Sequence, residues 1–222
     1  MISLLSVLFL SFTQTNYCFS LITRRSIIIA GLSSDPIYKT IISNSPEESE
    51  NNNNAMIYNI KNNIYFSGTL TDESIFAITT SLINMQNSDN TEVNLHIKSQ
   101  GGSLLPSLGL VDIIRTSDIP INTYIDGYVA SAATLISIVG ANRLMNKHGV
   151  MLIHQLKMGT EYSKYSEIKD YSENADTLMT IIKNLYLEYS NLSENKLNYL
   201  LDHDLWLNSS LCKEYGLIDI II

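Results

Sequence analysis

The sequence predicts an α/β domain with a largely buried sheet, and three observations carry that prediction. Residues 92–99, EVNLHIKS, alternate apolar and polar side chains with the period of two that a strand requires. Residues 71–85 instead place Ile75, Ile78, Leu82 and Met85 at helical spacing. The two patterns then take turns along the chain, and strands alternating with helices build a parallel sheet covered by helices.

The elements follow in order. NIYFSG, residues 63–68, is a short run of β-branched and aromatic residues ending in glycine. Thr71 is placed to cap the next helix, and Asp72 and Glu73 put negative charge in its first turn, where the helix dipole favours it. After the strand 92–99 comes a helix over 103–117, SLLPSLGLVDIIRTS, and then a strand over 121–127, INTYIDG, that ends in glycine. Ser131 opens a further helix. VMLIH, residues 150–154, is a strand with His154 at its end. Beyond it, Ile168, Tyr171, Ala175, Leu178, Ile182, Leu185 and Tyr189 recur at alternating intervals of three and four, a seam of period 3.5 that suits either a core face or a subunit interface.

Composition limits the function. With 222 residues, 45% hydrophobic and 16% charged, the chain can bury an ordinary core and is neither disordered nor fibrous. A formal charge of −8 offers no basic face to a phosphate backbone. Cys18 falls in the leader and Cys212 is then alone, so no disulfide framework forms; no His/Cys set has zinc-ligand spacing, and neither metal nor cofactor is expected. Residues 1–34 combine about ten apolar residues, a Ser/Thr-rich stretch, Arg24-Arg25 and no acid before Asp35. This reads as a targeting segment whose apolar run is too short to span a bilayer, and it favours an organelle (plastid or mitochondrion), with the secretory route or the cytoplasm as alternatives. Residues 35–55, including NSPEESENNNN, form an acidic Asn-rich linker, and 56–222 form the folded domain.

Ser131 lies just after a strand at the start of a helix. A hydroxyl there is either an ordinary N-cap or a nucleophile among backbone N–H donors that can hold an oxyanion. Gly101 and Gly102, in SQGG, offer a second exposed N–H or simply make a turn. A nucleophilic serine needs a base and the base an acid. Among His96, His148, His154 and His203, the strand-end position favours His154, without excluding a structural role.

IYFSGTLTD (64–72), LHIKSQGGSLLPSLGLVDII (95–114), GYVASAATLISIVGANRLM (127–145), VMLIHQL (150–156) and DLWLNSSLCKEYGLID (204–219) together resemble, in order, the successive blocks of the proteolytic subunit family of the Clp protease. These are caseinolytic serine peptidases on the ClpP/crotonase fold. The resemblance implies a spiral of β-β-α units with a protruding handle helix, the period-3.5 seam lying on that handle. It places the nucleophile on Ser131, the base on His154, the orienting acid on Asp204, and the oxyanion donors on the backbone N–H groups of Gly102 and Ala132. It also implies a homo-oligomer of stacked heptameric rings that takes unfolded polypeptides, fed by a Clp-type AAA+ ATPase. The sequence departs from the family pattern at Gln100, where proline is usual, and at Leu205, where many members carry an arginine that ties two rings together. NNNNAMIYNIKN has no counterpart of the usual axial loop.

Three other readings stay open at this point. A crotonase-type acyl-CoA enzyme shares the fold and the paired donors but makes no use of Ser131, His154 and Asp204. A catalytically silent ring subunit would need no triad. A signal-peptide peptidase of the same fold uses a serine–lysine pair, and Lys147, the nearest lysine in sequence, is read as part of a turn.

Overall fold

The computed structural model describes residues 19–23, 26–30, 55–159 and 162–222. The chain divides into two compact units, Met1–Asn52 and Asn53–Ile222. In the first, β1 (Phe19–Thr23) and β2 (Ser26–Ala30) pair as an antiparallel ribbon. The rest of the expected targeting segment, and the expected linker except Ala55, lie outside the described residues.

The second unit opens with β3 (Met56–Ile60) and β4 (Asn63–Ser67), an antiparallel hairpin turning at Lys61, φ 55°. Helix α1 (Asp72–Gln86) starts on Thr71, whose hydroxyl accepts from the Ser74 N–H at 3.2 Å, while the Ser74 hydroxyl accepts from the Thr71 N–H at 2.9 Å. That reciprocal pair satisfies two donors a bare helix end would leave open. Ile75, Ile78, Leu82 and Met85 are buried, as their spacing requires.

β5 (Val93–Ser99), α2 (Leu104–Arg115), β6 (Ile121–Ala130) and α3 (Ala132–Ser137) follow, then β7 (Arg143–Met145), β8 (Val150–Leu152), α4 (Tyr165–Glu188), α5 (Glu194–Leu201), β9 (Trp206–Asn208), α6 (Ser209–Glu214) and β10 (Ile220–Ile221). The strand order is β10-β7-β6-β5-β4-β3, parallel except for the β3–β4 hairpin, with β8 pairing β6 and β9 beyond this path.

β6 does not end at Gly127. From Ile97↔Ile125 to Ser99↔Val129, two residues of β5 face four of β6, so β6 carries an insertion at Gly127, φ +95°. A glycine in this conformation bends a strand without terminating it. The first half of β6 pairs with β7, and the second half, Tyr128–Ala130, turns away to pair with β8. This bend aims Ser131 at β8 and the segment after it.

The two faces of the main sheet differ in chemistry. Ile64, Phe66, Leu95, Ile97, Ile121 and Ile125 are buried in the core with side chains of α1, α2 and α3. On the other face, an asparagine row crosses four strand starts: Asn94 donates to Asn63 at 3.1 Å, Asn122 to Asn94 at 3.0 Å, and Asn142 to Asn122 at 2.8 Å. Two residues further along runs a stack of rings, Tyr58–Tyr65–His96–Tyr124, with centroids 4.8, 4.3 and 4.4 Å apart. His96 is tied to Asp126 at 2.8 Å and belongs to this face.

α4 carries the period-3.5 seam, and the seam is split. Ile182 and Leu185 are buried, whereas Ile168 and Tyr171 are 51% and 42% exposed. The C-terminal third of the helix is core, and its first ten residues are exposed on every side.

Candidate active site

β6 ends at Ala130 and α3 begins at Ala132, so one residue makes the turn. Ser131 does so at φ 55°, ψ −132°, a conformation that costs a residue with a Cβ on the order of 1–3 kcal/mol. Its surroundings hold it there. The Ser131 N–H donates to the Leu152 carbonyl at 3.0 Å, and its own carbonyl accepts from the N–H and hydroxyl of Thr134 at 2.9 and 2.6 Å. Gly101 packs so closely that a Cβ there would stand 2.7 Å from that of Ser131. The Ser131 side chain caps nothing.

A buried relay backs this turn. The Thr134 hydroxyl has one hydrogen, given to the Ser131 carbonyl, so it accepts from the Tyr186 hydroxyl of α4. Tyr186 is fully buried, and burial raises its hydroxyl's pKa against the opposing pull of the Thr134 bond. It therefore stays protonated and able to donate.

Gly102 is fixed by a bridge to Leu70: the Leu70 N–H donates to the Gly101 carbonyl at 2.8 Å and the Ser103 N–H to the Leu70 carbonyl at 2.7 Å. Alternate N–H groups of an extended chain point to opposite sides, so that of Gly102 points away from Leu70. Ala132 is the first residue of α3, where an N–H has no acceptor inside the helix. Gly102, Ser131, Ala132 and His154 line one cleft of about 250 Å³, walled by Leu104, Leu135, Leu156, Ile182, Tyr186 and Lys157, among others. Four of the five residues that the resemblance implies thus lie on one cleft, two of them through backbone groups.

Asp204, the fifth, does not line the cleft. His154 lies two residues beyond the end of β8, not within it, and its Nδ1 is 2.6 Å from the Gln155 carbonyl oxygen. A carbonyl only accepts, so Nδ1 carries a hydrogen; in the neutral ring Nε2 is then bare, the form a base needs. Among the described residues no hydrogen bond joins His154 to Ser131, and Asp204 is not on His154. Its carboxylate takes the Lys157 ammonium at 3.1 Å instead. Sequence reasoning missed Lys157, although its position three residues after His154 was there to be read.

The other histidines are engaged elsewhere. His96 is on the open sheet face, and His203 donates to the Tyr199 carbonyl at 2.7 Å and stacks on its ring. His148 is in the turn before β8. Lys147 sits in that turn too, its N–H on the Ile222 carbonyl, and does not line the cleft. Among the described residues no cluster of three His, Cys, Asp or Glu could hold a metal ion, and no helix is long and apolar enough to cross a membrane.

Residues 47–222 match the Clp protease family, which is most of the chain. The chain belongs to that family. Clp proteases are serine peptidases, and this chain is a Clp-type serine protease on an α/β fold. Among its relatives, the ATP-dependent Clp protease proteolytic subunit 1 of Cutibacterium acnes is 29% identical over 164 residues, covering 72% of this chain and 76% of the relative. The ATP-dependent Clp protease proteolytic subunit of Pleurastrum terricola is 27% identical over 161 residues, covering 71% and 82%. The fold is similar to that of a solved ClpP1 mutant from Listeria monocytogenes, with a TM-score of 0.67 and 22% identity over 73% of this chain and 91% of that one. Clp proteases form ring-shaped oligomers that work with Clp ATPases.

Proposed function

We propose that the Clp-type peptidase activity of this chain is carried by Ser131, with His154 as base, Asp204 as orienting acid, and the N–H groups of Gly102 and Ala132 as oxyanion donors. One observation supports this most strongly: a serine strained to φ 55° opens into the cleft that His154 and both donors line. In the proposed reaction His154 Nε2 takes the hydroxyl proton as Ser131 Oγ attacks the peptide carbonyl carbon. The two N–H groups receive the oxyanion, His154 returns the proton to the leaving amine, and water then hydrolyses the acyl-enzyme by the same route. Asp204 serves this cycle after exchanging Lys157 for His154.

The assembly we propose is a homo-oligomer of stacked heptameric rings that encloses the clefts. Unfolded polypeptide would reach them through a Clp-type AAA+ ATPase. The exposed Ile168 and Tyr171 of α4 favour a further contact made outside the single chain.

Labelling with a fluorophosphonate followed by peptide mapping tests the assignment. Modification confined to Ser131, together with loss of short-peptide hydrolysis by orders of magnitude in Ser131→Ala at unchanged fold, is expected. Half or more of the parent's activity in that variant would place the nucleophile elsewhere.

A further inference from the structure

We propose that Lys157 is a positioning residue that governs how often Asp204 is available to His154. This rests on the reading of Ser131, His154 and Asp204 given above. His154 and Lys157 lie three residues apart in the extended segment after β8, and the Gln155 N–H donates to the Leu201 carbonyl at 2.9 Å, which pins that segment against the end of α5. Asp204 occupies the loop between α5 and β9. The carboxylate is thus held by Lys157, on the segment that also carries His154. Lys157 Nζ holds it at 3.1 Å, while His154 Nδ1 is spent on the Gln155 carbonyl at 2.6 Å.

The carbonyl already gives His154 the tautomer of a base, so the carboxylate is not needed for that. What it adds is a negative charge facing the imidazolium that forms when Ser131 gives up its proton. Lys157 takes that charge. While the ion pair stands, the imidazolium has only a neutral partner; once Asp204 turns to His154, the ammonium is released along the cleft that Lys157 lines. The pair is solvent-exposed, with side chains 68% and 58% accessible, so it biases the equilibrium by no more than about five-fold. Lys157 is thus a weak competitor for the carboxylate rather than a fixed anchor.

The readouts are the rate at which a fluorophosphonate labels Ser131 in the full chain, and kcat and KM for a short peptide. Lys157→Met is expected to raise labelling and kcat by about three- to five-fold because it frees Asp204; since Lys157 also lines the cleft, any change in peptide binding is read separately in KM. Lys157→Arg keeps the cation and should give less than half of that gain. In the Asp204→Asn background, followed by prolonged labelling, Lys157→Met should give no gain. A Lys157→Met rate equal to or below the parent's overturns the proposal, as does a gain that survives in Asp204→Asn. Complete loss of labelling in Lys157→Met alone also overturns it, and makes Lys157 the base in place of His154. A folded parent in which Ser131 is never labelled defeats the nucleophile assignment itself, an outcome distinct from the others.

Discussion

Gly102→Ala adds one methyl group at a place where the backbone leaves no room. Its Cβ would stand 2.1 Å from the Leu70 carbonyl oxygen and 2.8 Å from the Leu70 nitrogen, at φ +148°. Both neighbours are main chain and neither can swing aside. Carbon contacts settle beyond about 3.5 Å, so residue 102 must retreat by about 1 Å or more. An oxyanion donor has to sit within about 2.7–3.1 Å of its target, and losing one such donor lowers kcat by about 10²–10³-fold. The positive φ costs about 1–2 kcal/mol, and the two hydrogen bonds of the Leu70 bridge are worth about 0.5–1.5 kcal/mol each. Together these put the loss of stability at about 2–5 kcal/mol, a fall in Tm of roughly 4–20 °C. Gly109→Ala is the matched control. It makes the same chemical change in the interior of α2 with nothing within 4 Å, and should stabilise by about 0.5–1 kcal/mol with activity unchanged. Peptide turnover and thermal unfolding of both variants decide the matter. If Gly102→Ala retained kcat within three-fold of the parent, or Gly109→Ala lost as much, the donor argument would be wrong.

Other perturbations follow from the same geometry. Tyr186→Phe removes only the hydroxyl that donates to Thr134; since Thr134 still donates to Ser131, denaturant titration should show a loss near the low end, about 1 kcal/mol, with kcat reduced more than KM is raised. Ile168→Asp with Tyr171→Asp, both exposed in the single chain, should lower the sedimentation coefficient while leaving monomer unfolding unchanged, whereas Ile182→Asp would strike the buried cleft wall and report on folding. Arg143→Met strips the donor from the Tyr189 and Gly216 carbonyls and from Asp219, and should cost about 2–4 kcal/mol at neutral pH. The Arg143 hydrogen bonds hold the Asp219 carboxyl below its ordinary 3.8. That share of the difference is therefore present above pH 3.8 and fades as pH falls through the lowered value, which unfolding curves at neutral and acid pH would reveal.

What could be read from the sequence was what local periodicity and local chemistry determine. The four buried apolar positions of α1 and the Thr71 cap are both set within one helix, and both were legible. The end of β6 was misjudged because Gly127 punctuates the sequence like a terminator, while the fold uses its positive φ to bend a strand whose second partner, β8, lies twenty residues on. β3 was missed because its exposed residues pair only through the hairpin with β4. At the site, Ser131, His154, Gly102 and Ala132 converge because each lies at or within three residues of a strand's end or a helix's start, where side chains and N–H groups open into a cleft. The partner of Asp204 was illegible for a different reason. An exposed carboxylate chooses between donors by fractions of a kcal/mol, and no pattern of residue types encodes so small a difference.

The asparagine row across β4, β5, β6 and β7 has a consequence at the far end of the sheet. Alternation of apolar and polar residues distinguishes a strand from its neighbour shifted by one residue but is blind to a shift of two, which restores every side chain to its own face. Amide-to-amide bonds are not blind to it, because a slip of two would set Asn94 against Tyr65 and Asn122 against His96. The row thus acts as a vernier that locks the strands where they begin. Since Gly101 and Gly102 follow the end of β5 and Ser131 follows the end of β6, the apposition of serine and glycine depends on alignment imposed seven to nine residues upstream. Asn94→Leu and Asn122→Leu, remote from every reacting atom, would loosen the reference against which the cleft is assembled.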